Sequence, residues 1–351
     1  MKDLISIEGH LIGYGQPIFI IAEIGVNHNG DVNFAKKMIC KAAECGADCV
    51  KFQTFKAKDV VTKDAPKAHY QLETTPSDES QIAMLKKLEM PFDAYPDLIK
   101  CCSDNGVVFM STPYNPEDVD MLDDLGVPVF KLASIHAAEP LFAGYTAKKG
   151  KPIILSTGMA TLAEVDESVA AIRKAGNNDI ILLQCTTNYP SRYEDANLLS
   201  MQTMKSAFKT IVGYSDHTVD DTACIVSVGL GAKVIEKHFT LDKTLPGPDQ
   251  STSASPAEFK RLVENIRKAE QIMGSGIKVP CDIEKQNAVG MRRSIVAKVN
   301  IPIGTVLEAS MFAFKRPATG ISPKYLEQLL GKTAQKNIIV DSLAKWSDIG
   351  D

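Results

Sequence analysis

Eight short apolar runs, each followed by a polar or glycine-bearing stretch and then an amphipathic helical pattern, constrain the fold of this chain more than any other feature. They span Ile18 to Ile24, Cys49 to Gln53, Val107 to Met110, Val129 to Leu132, Pro152 to Ser156, Ile180 to Gln184, Thr210 to Tyr214 and Lys233 to His238. Strands that are apolar without a break and alternate with helices belong to a parallel sheet covered on both faces. Eight such units predict a (β/α)8 TIM barrel, with a doubly wound sheet as the alternative. A polar leader precedes the first run. The stretch from Lys56 to about Met90 is too long for a simple βα turn and is rich in Lys, Thr, Ser and Asp, so it is expected to fold over the top of the barrel as an active-site loop. Helical patterning returns at Ala257 to Met273, and the glycines and proline of Gly274 to Pro280 break it. Beyond lies RRSIVAKVNIPIGTVL, which alternates apolar and polar residues around a Pro-x-Gly turn, as the strands of a small β-rich domain do. The expected domains are residues 1–278 and 279–351.

Composition narrows the class of partner. With 351 residues and a formal net charge of −4, the chain has no basic stripe of the kind that nucleic acid or an anionic membrane surface would select. The eight cysteines show no C-x-x-C spacing and mostly occupy apolar contexts, so they are read as reduced. No N-terminal signal pattern and no apolar run of membrane-spanning length is present, so a cytoplasmic location is expected.

Barrel enzymes carry their chemistry at the C-terminal ends of the strands. The ends here bear Glu23, Lys51 with Gln53, Thr112, Lys131 with Ser134, Ser156 with Thr157, Thr187 with Tyr189, Ser215 with His217, and His238. His217 and His238 end consecutive strands, which lie roughly 4.8 Å apart, close enough for both imidazoles to hold one metal ion with positions left open for substrate. Lys51 and Lys131 end apolar strands, where an unpaired ammonium is costly, so a bound anion is expected beside them; pairing with Glu23 and neighbouring carboxylates is the other reading. Ser and Thr hydroxyls nearby suit phosphate or carboxylate oxygens. His136, close behind Ser134, can face the same pocket, and His28 in the NHNG turn is either a turn residue or a site residue.

The segments IIAEIGVNHNGD, GADCVKFQTFKA, YQLETT, STPY, IILSTGMAT, CTTNYP, VGYSDHT, GAKVIEKHFTLDK, PGPD and KRPATGISP run in one order along nearly the whole chain. In them the chain resembles the bacterial sialic acid synthases, within the nonulosonate synthase family. The resemblance implies a TIM barrel followed by a small antifreeze-like (SAF) domain, a divalent cation such as Mn2+ or Mg2+, and a domain-swapped homodimer. It implies condensation of phosphoenolpyruvate with an N-acetylated amino sugar to a nine-carbon 2-keto acid and phosphate, with N-acetylmannosamine as the leading sugar. It places the anion on Lys51, Lys131, Thr112, Ser134, Ser156 and Ser215, and the metal on His217 and His238. Glu23 would handle charge or a proton, with Gln53 beside the metal-bound group. Tyr189 and Asp249 would contact sugar hydroxyls, and Arg316 would reach the barrel of a partner subunit. Two positions depart from many sialic acid synthases: Ser134-Ile135-His136 replaces Ser-Gly-Glu, and Thr187 stands where some relatives have asparagine. Both bear on the sugar, so a legionaminic-type synthase using a 6-deoxy diacetamido sugar is the alternative within the family. A Schiff-base aldolase using Lys51 or Lys131 is the alternative outside it.

Overall fold

A computed structural model describes residues 3–350 apart from residue 77. The chain divides into two compact units, Met1–Gly274 and Ser275–Asp351. The polar leader of the first unit is an antiparallel hairpin, β1 (Leu4–Ile7) and β2 (His10–Gly13). Its two-residue loop has Glu8 at φ 47° and Gly9 at φ 88°, the pair of left-handed residues that a tight hairpin turn demands. The sequence reading missed it because the four-residue strands are short.

All eight expected strands are present: β3 (Phe19–Gly25), β4 (Cys49–Thr54), β5 (Val108–Pro113), β6 (Phe130–Leu132), β7 (Ile153–Ser156), β8 (Ile180–Cys185), β9 (Ile211–Asp216) and β10 (Val234–His238). They form one parallel sheet in the order β5-β4-β3-β10-β9-β8-β7-β6. Its two end strands, β5 and β6, lie side by side, so the sheet curls into a nearly closed barrel.

Strand side chains alternate between two faces. One set, including Ile20, Val50, Phe109, Leu155, Leu182 and Ile235, packs with the surrounding helices. The other set, including Phe19, Ile21, Cys49, Met110, Ile154, Leu183 and Val234, fills the barrel interior, where Ile5, Ile7 and Ile12 of the hairpin join it. Gly213 belongs to the inward set, and it is glycine because an added methyl would sit 2.3 Å from the Val234 carbonyl oxygen. Helix starts are signalled locally. Thr161 caps the helix Leu162–Lys174 in a reciprocal box with Glu164, and Ser255 does the same with Glu258 ahead of Pro256–Met273.

The segment between β4 and the helix Tyr95–Asp104 is not a wholly open loop but carries three short helices, Ala57–Val60, His69–Thr74 and Gln81–Lys87. Met84 and Leu88 bury against Val26 and Phe55, which anchors the segment to the ends of β3 and β4. The Tyr70 ring lies 4.9 Å from that of Tyr189, so the segment does cover the C-terminal end of the barrel. In the second unit, strands β11 (Ser294–Ala297) and β12 (Phe312–Lys315) pair antiparallel, as do β13 (Thr333–Ala334) and β14 (Ile349–Gly350). They enclose a core of Ile295, Ala297, Ile301, Leu307, Leu329 and Ile338. A helix, Asp282–Met291, precedes them. No helix among the described residues is long and apolar enough to cross a membrane.

Candidate active site

The inward parity of each strand carries through to its last residues, where the character changes from apolar to charged. Two residues beyond Ile21, Cys49 and Val129 come Glu23, Lys51 and Lys131; beyond Ile154 and Val234 come Ser156 and Glu236. Eleven of the fourteen expected residues line a single hollow at this end: Glu23, Lys51, Gln53, Thr112, Lys131, Ser134, Ser156, Tyr189, Ser215, His217 and His238. Tyr114, Cys185 and Glu236 line it too and were missed.

Glu236 organises the charges. One of its oxygens lies 3.7 Å from the Lys51 ammonium and 3.7 Å from that of Lys131, and accepts a hydrogen bond of 3.1 Å from the Ser215 hydroxyl. The lysines therefore do not wait unpaired for an anion: Lys51 also meets Glu23 at 2.8 Å, and Lys131 donates to Ser156 at 2.7 Å. Lys51 reaches Thr112 at 3.3 Å as well. Glu236 was legible by parity, since in VIEKH it shares the face of His238.

Burial works on these groups in opposite directions. It pushes the Glu23 carboxyl up to about 7 against the pull of Lys51, with Glu236 adding to the rise. Burial also opposes ionisation of Glu236, but Lys131 and Lys51 outweigh it and hold that carboxyl below its ordinary value. Burial alone would lower Lys51, yet Glu23 and Glu236 hold it above the usual lysine range. Burial does lower Lys131, against the attraction of Glu236. The result is one firmly ionised carboxylate between two lysines and a second carboxyl that exchanges its proton near neutrality.

His217 and His238 sit side by side with ring centroids 5.5 Å apart. The Nδ1 of His217 donates to the Thr186 carbonyl at 2.7 Å, so in the neutral ring the lone pair is on Nε2. Burial, followed by the positive surroundings, pushes His238 well down, so it is neutral. Behind the pair, outward-facing Lys237 meets Asp216 at 2.5 Å and donates to the carbonyls of Thr218 and Asp220, both at 2.9 Å, which locks the turn carrying His217. Against burial, Cys185, the Thr186 carbonyl and Asp216 hold the His217 ring above its ordinary value; once that ring has given up its proton, the two imidazoles are suitable ligands for a divalent cation. Among the described residues no group of three or more His, Cys, Asp or Glu is placed to hold a metal ion, and His217 with His238 is the pair that would ligate one.

Three expected residues stand apart from the lining. Thr187 is exposed and lies over Gly158, where an added methyl would meet its hydroxyl at 2.4 Å and that of Ser134 at 2.8 Å. Asp249 is buried beside His238, with its carboxylate 4.0 Å from Nδ1. Arg316 is exposed at the end of β12 in the second unit. His136 does not line the hollow: it is buried in the turn Ser134–Ala138, accepts the Ala133 amide at 3.2 Å and packs on Phe142. His28 is likewise buried, and its Nδ1 accepts the Gly30 amide at 2.9 Å, a turn-stabilising role.

A wider hollow at the opposite, N-terminal end is lined by Asp48, Arg267 and Glu270. Its charges are spent on one another and on structure, with Arg267 3.0 Å from Asp48 and 3.2 Å from Glu270. That end of a barrel serves stability, and the ionisable ring at the C-terminal end marks the chain as a barrel enzyme. The NeuB family model matches residues 38–278, and the SAF domain model matches residues 292–350. The chain belongs to the NeuB family, the nonulosonate synthases, and is a phosphoenolpyruvate-dependent condensing enzyme. It is 47% identical to an N,N'-diacetyllegionaminic acid synthase of Campylobacter jejuni over 93% of this chain and 98% of that one. It is 40% identical to an enzyme of the same name from Legionella pneumophila, over 96% of each chain. A crystal structure of an N-acetylneuraminic acid synthetase from Leptospira borgpetersenii in complex with citrate is similar at a TM-score of 0.72 and 32% identity, covering 81% of this chain and 94% of that one.

Proposed function

We propose that this enzyme condenses phosphoenolpyruvate with the open-chain form of a 2,4-diacetamido 6-deoxy sugar, giving N,N'-diacetyllegionaminate and phosphate. The observation that carries the reaction is the ring of Lys51, Lys131, Thr112, Ser156 and Ser215 around Glu236. The two legionaminic relatives, at 47% and 40% identity, support the sugar. So does the chain next to the lining residue Ser134, where Ile135 is 44% exposed and available for an apolar contact, while His136 is buried and presents no anionic acceptor. The second reading is N-acetylmannosamine as substrate, with N-acetylneuraminate as product; likeness to the Leptospira enzyme favours it.

In this reading the two lysines and the hydroxyls bind the phosphate and carboxylate of phosphoenolpyruvate by charge-assisted hydrogen bonds. Mn2+ or Mg2+ on His217 and His238 would supply Lewis acidity toward the sugar carbonyl. Gln53 donates to Glu23 at 3.0 Å and so orients that carboxyl toward the reacting carbons. C3 of phosphoenolpyruvate attacks the aldehyde carbon, and water adds to C2. Glu23, ionised, takes one proton of that water, the former aldehyde oxygen takes up a proton to become the product hydroxyl, and the C2 hydroxyl gives its proton to the departing phosphate as C2 collapses to the ketone with cleavage of its C–O bond. The Tyr189 ring packs tilted against His217, centroids 4.1 Å apart, where it would contact the sugar beside the metal. The homodimer that the resemblance implies would bring Arg316 to the site of a second copy. A Schiff base on Lys51 is disfavoured because Glu23 and Glu236 hold that lysine protonated; on Lys131, which burial lowers, borohydride trapping decides.

The test is phosphate release and product mass with phosphoenolpyruvate and a panel of acetamido sugars. A higher kcat/KM with N-acetylmannosamine overturns the sugar assignment. Sugar turnover without phosphate release, with borohydride trapping of Lys51 or Lys131, overturns the reaction.

A further inference from the structure

The two histidines differ in how their second nitrogen is held. His217 Nδ1 is tied to a backbone carbonyl at 2.7 Å, whereas His238 Nδ1 is buried and makes no hydrogen bond. The group that faces it is the Asp249 carboxylate, 4.0 Å away, beyond hydrogen-bond reach. The Asp249 side chain is itself only 10% exposed. Its backbone is rigidly placed: the Asp249 carbonyl accepts from Ser253 at 2.6 Å and from Thr252 at 3.1 Å, Ser253 accepts from Asn27 at 2.8 Å, and Gln250 donates to the Asn27 carbonyl at 2.8 Å. The carboxylate is thus fixed opposite a buried ring nitrogen that makes no hydrogen bond among the described residues, with roughly 1 Å of side-chain rotation between them and a hydrogen bond.

We infer that Asp249 is a positioning residue for His238: its carboxylate accepts the Nδ1 proton, fixes the tautomer, and leaves the Nε2 lone pair for the cation. This rests on the metal assignment above and stands beside the sugar-hydroxyl role expected for Asp249. A carboxylate behind a ligating imidazole sets ring orientation and raises basicity, and losing it weakens metal affinity about 10- to 100-fold.

The experiment is Mn2+ titration of the full chain, followed by electron paramagnetic resonance, for wild type, Asp249→Asn, Asp249→Ala and His238→Ala, with 15N histidine spectra of the metal-free proteins. Asp249→Ala is expected to lose about 10- to 100-fold in Mn2+ affinity, with Asp249→Asn between it and wild type, and to release His238 into a mixture of tautomers. A loss in His238→Ala with none in Asp249→Ala, together with a raised KM for the sugar, overturns the inference alone. No loss in either overturns the metal assignment and the inference with it. Should the variants fail to fold, the wild-type spectrum decides: an Nε2-protonated His238 overturns the inference.

Discussion

The two ends of the barrel use the same strands and the same inward parity for opposite purposes. At the N-terminal end Phe19, Ile21, Met110, Ile154 and Leu183 make a dry plug sealed by the hairpin isoleucines. Two residues further along, the same face carries two carboxyls and two lysines, with two histidines just beyond, all six buried. Buried ion pairs contribute little net stability, because desolvation offsets their attraction. The comparison teaches that this barrel is held together at one end and reacts at the other, separated by a single pleat.

The largest expected effect tests the reactive end. His217→Ala or His238→Ala should lower turnover by several orders of magnitude while leaving the thermal midpoint close to wild type, and chelation should inactivate the wild type reversibly. Full activity in a verified metal-free preparation would break this part of the contrast. Next come paired substitutions on adjacent inward positions. Ile154→Ala should cost about 2–5 kcal/mol of stability with the KM for phosphoenolpyruvate unchanged. Lys131→Met should instead lower kcat/KM for phosphoenolpyruvate by about 10- to 100-fold. Equal effects of both variants on urea midpoints and on kinetics would erase the division between the ends.

A smaller effect concerns Glu23. Because its folded pKa of about 7 exceeds the ordinary value of 4.5, the folded chain holds a proton there that the unfolded chain has released. Its contribution is fully present below pH 4.5, declines as pH rises and is gone above about 7. Urea titrations in chelator should therefore show wild type losing stability relative to Glu23→Gln across that window and running parallel above it. A constant difference would place the Glu23 pKa in the ordinary range. The smallest effect is a control on the outer layer, away from both ends of the interior. Thr161→Ala removes one helix cap and should cost about 1 kcal/mol with turnover unchanged.

Much of this was legible without coordinates. Continuous apolar runs alternating with helical pattern determine a parallel sheet covered by helices, and all eight strands lie within a few residues of where the pattern puts them. Strand ends nominate catalytic candidates because backbone polarity and loop access concentrate there. The β1–β2 hairpin and the helix Asp282–Met291 were not read, the first because its strands are short, the second because its flanking glycine and proline resemble linker. Glu236 was hidden in plain sequence, legible only when parity is counted back from His238.

Other features belong to the tertiary structure alone. His136 follows Ser134 by two residues, yet the tight turn Ser134–Ala138 sends its ring into the protein while Ile135 stays outside. No local pattern distinguishes those outcomes. Equally, a sequence lists lysines and carboxylates but not the 3.7 Å separations that place one Glu236 oxygen between Lys51 and Lys131. Which proton each group holds follows from burial and from neighbours many residues away. Periodicity along one strand therefore determined the fold and named the candidates, while distances between strands decided charge state and partnership, because electrostatic energies depend on separation and solvent exposure that only the closed barrel defines.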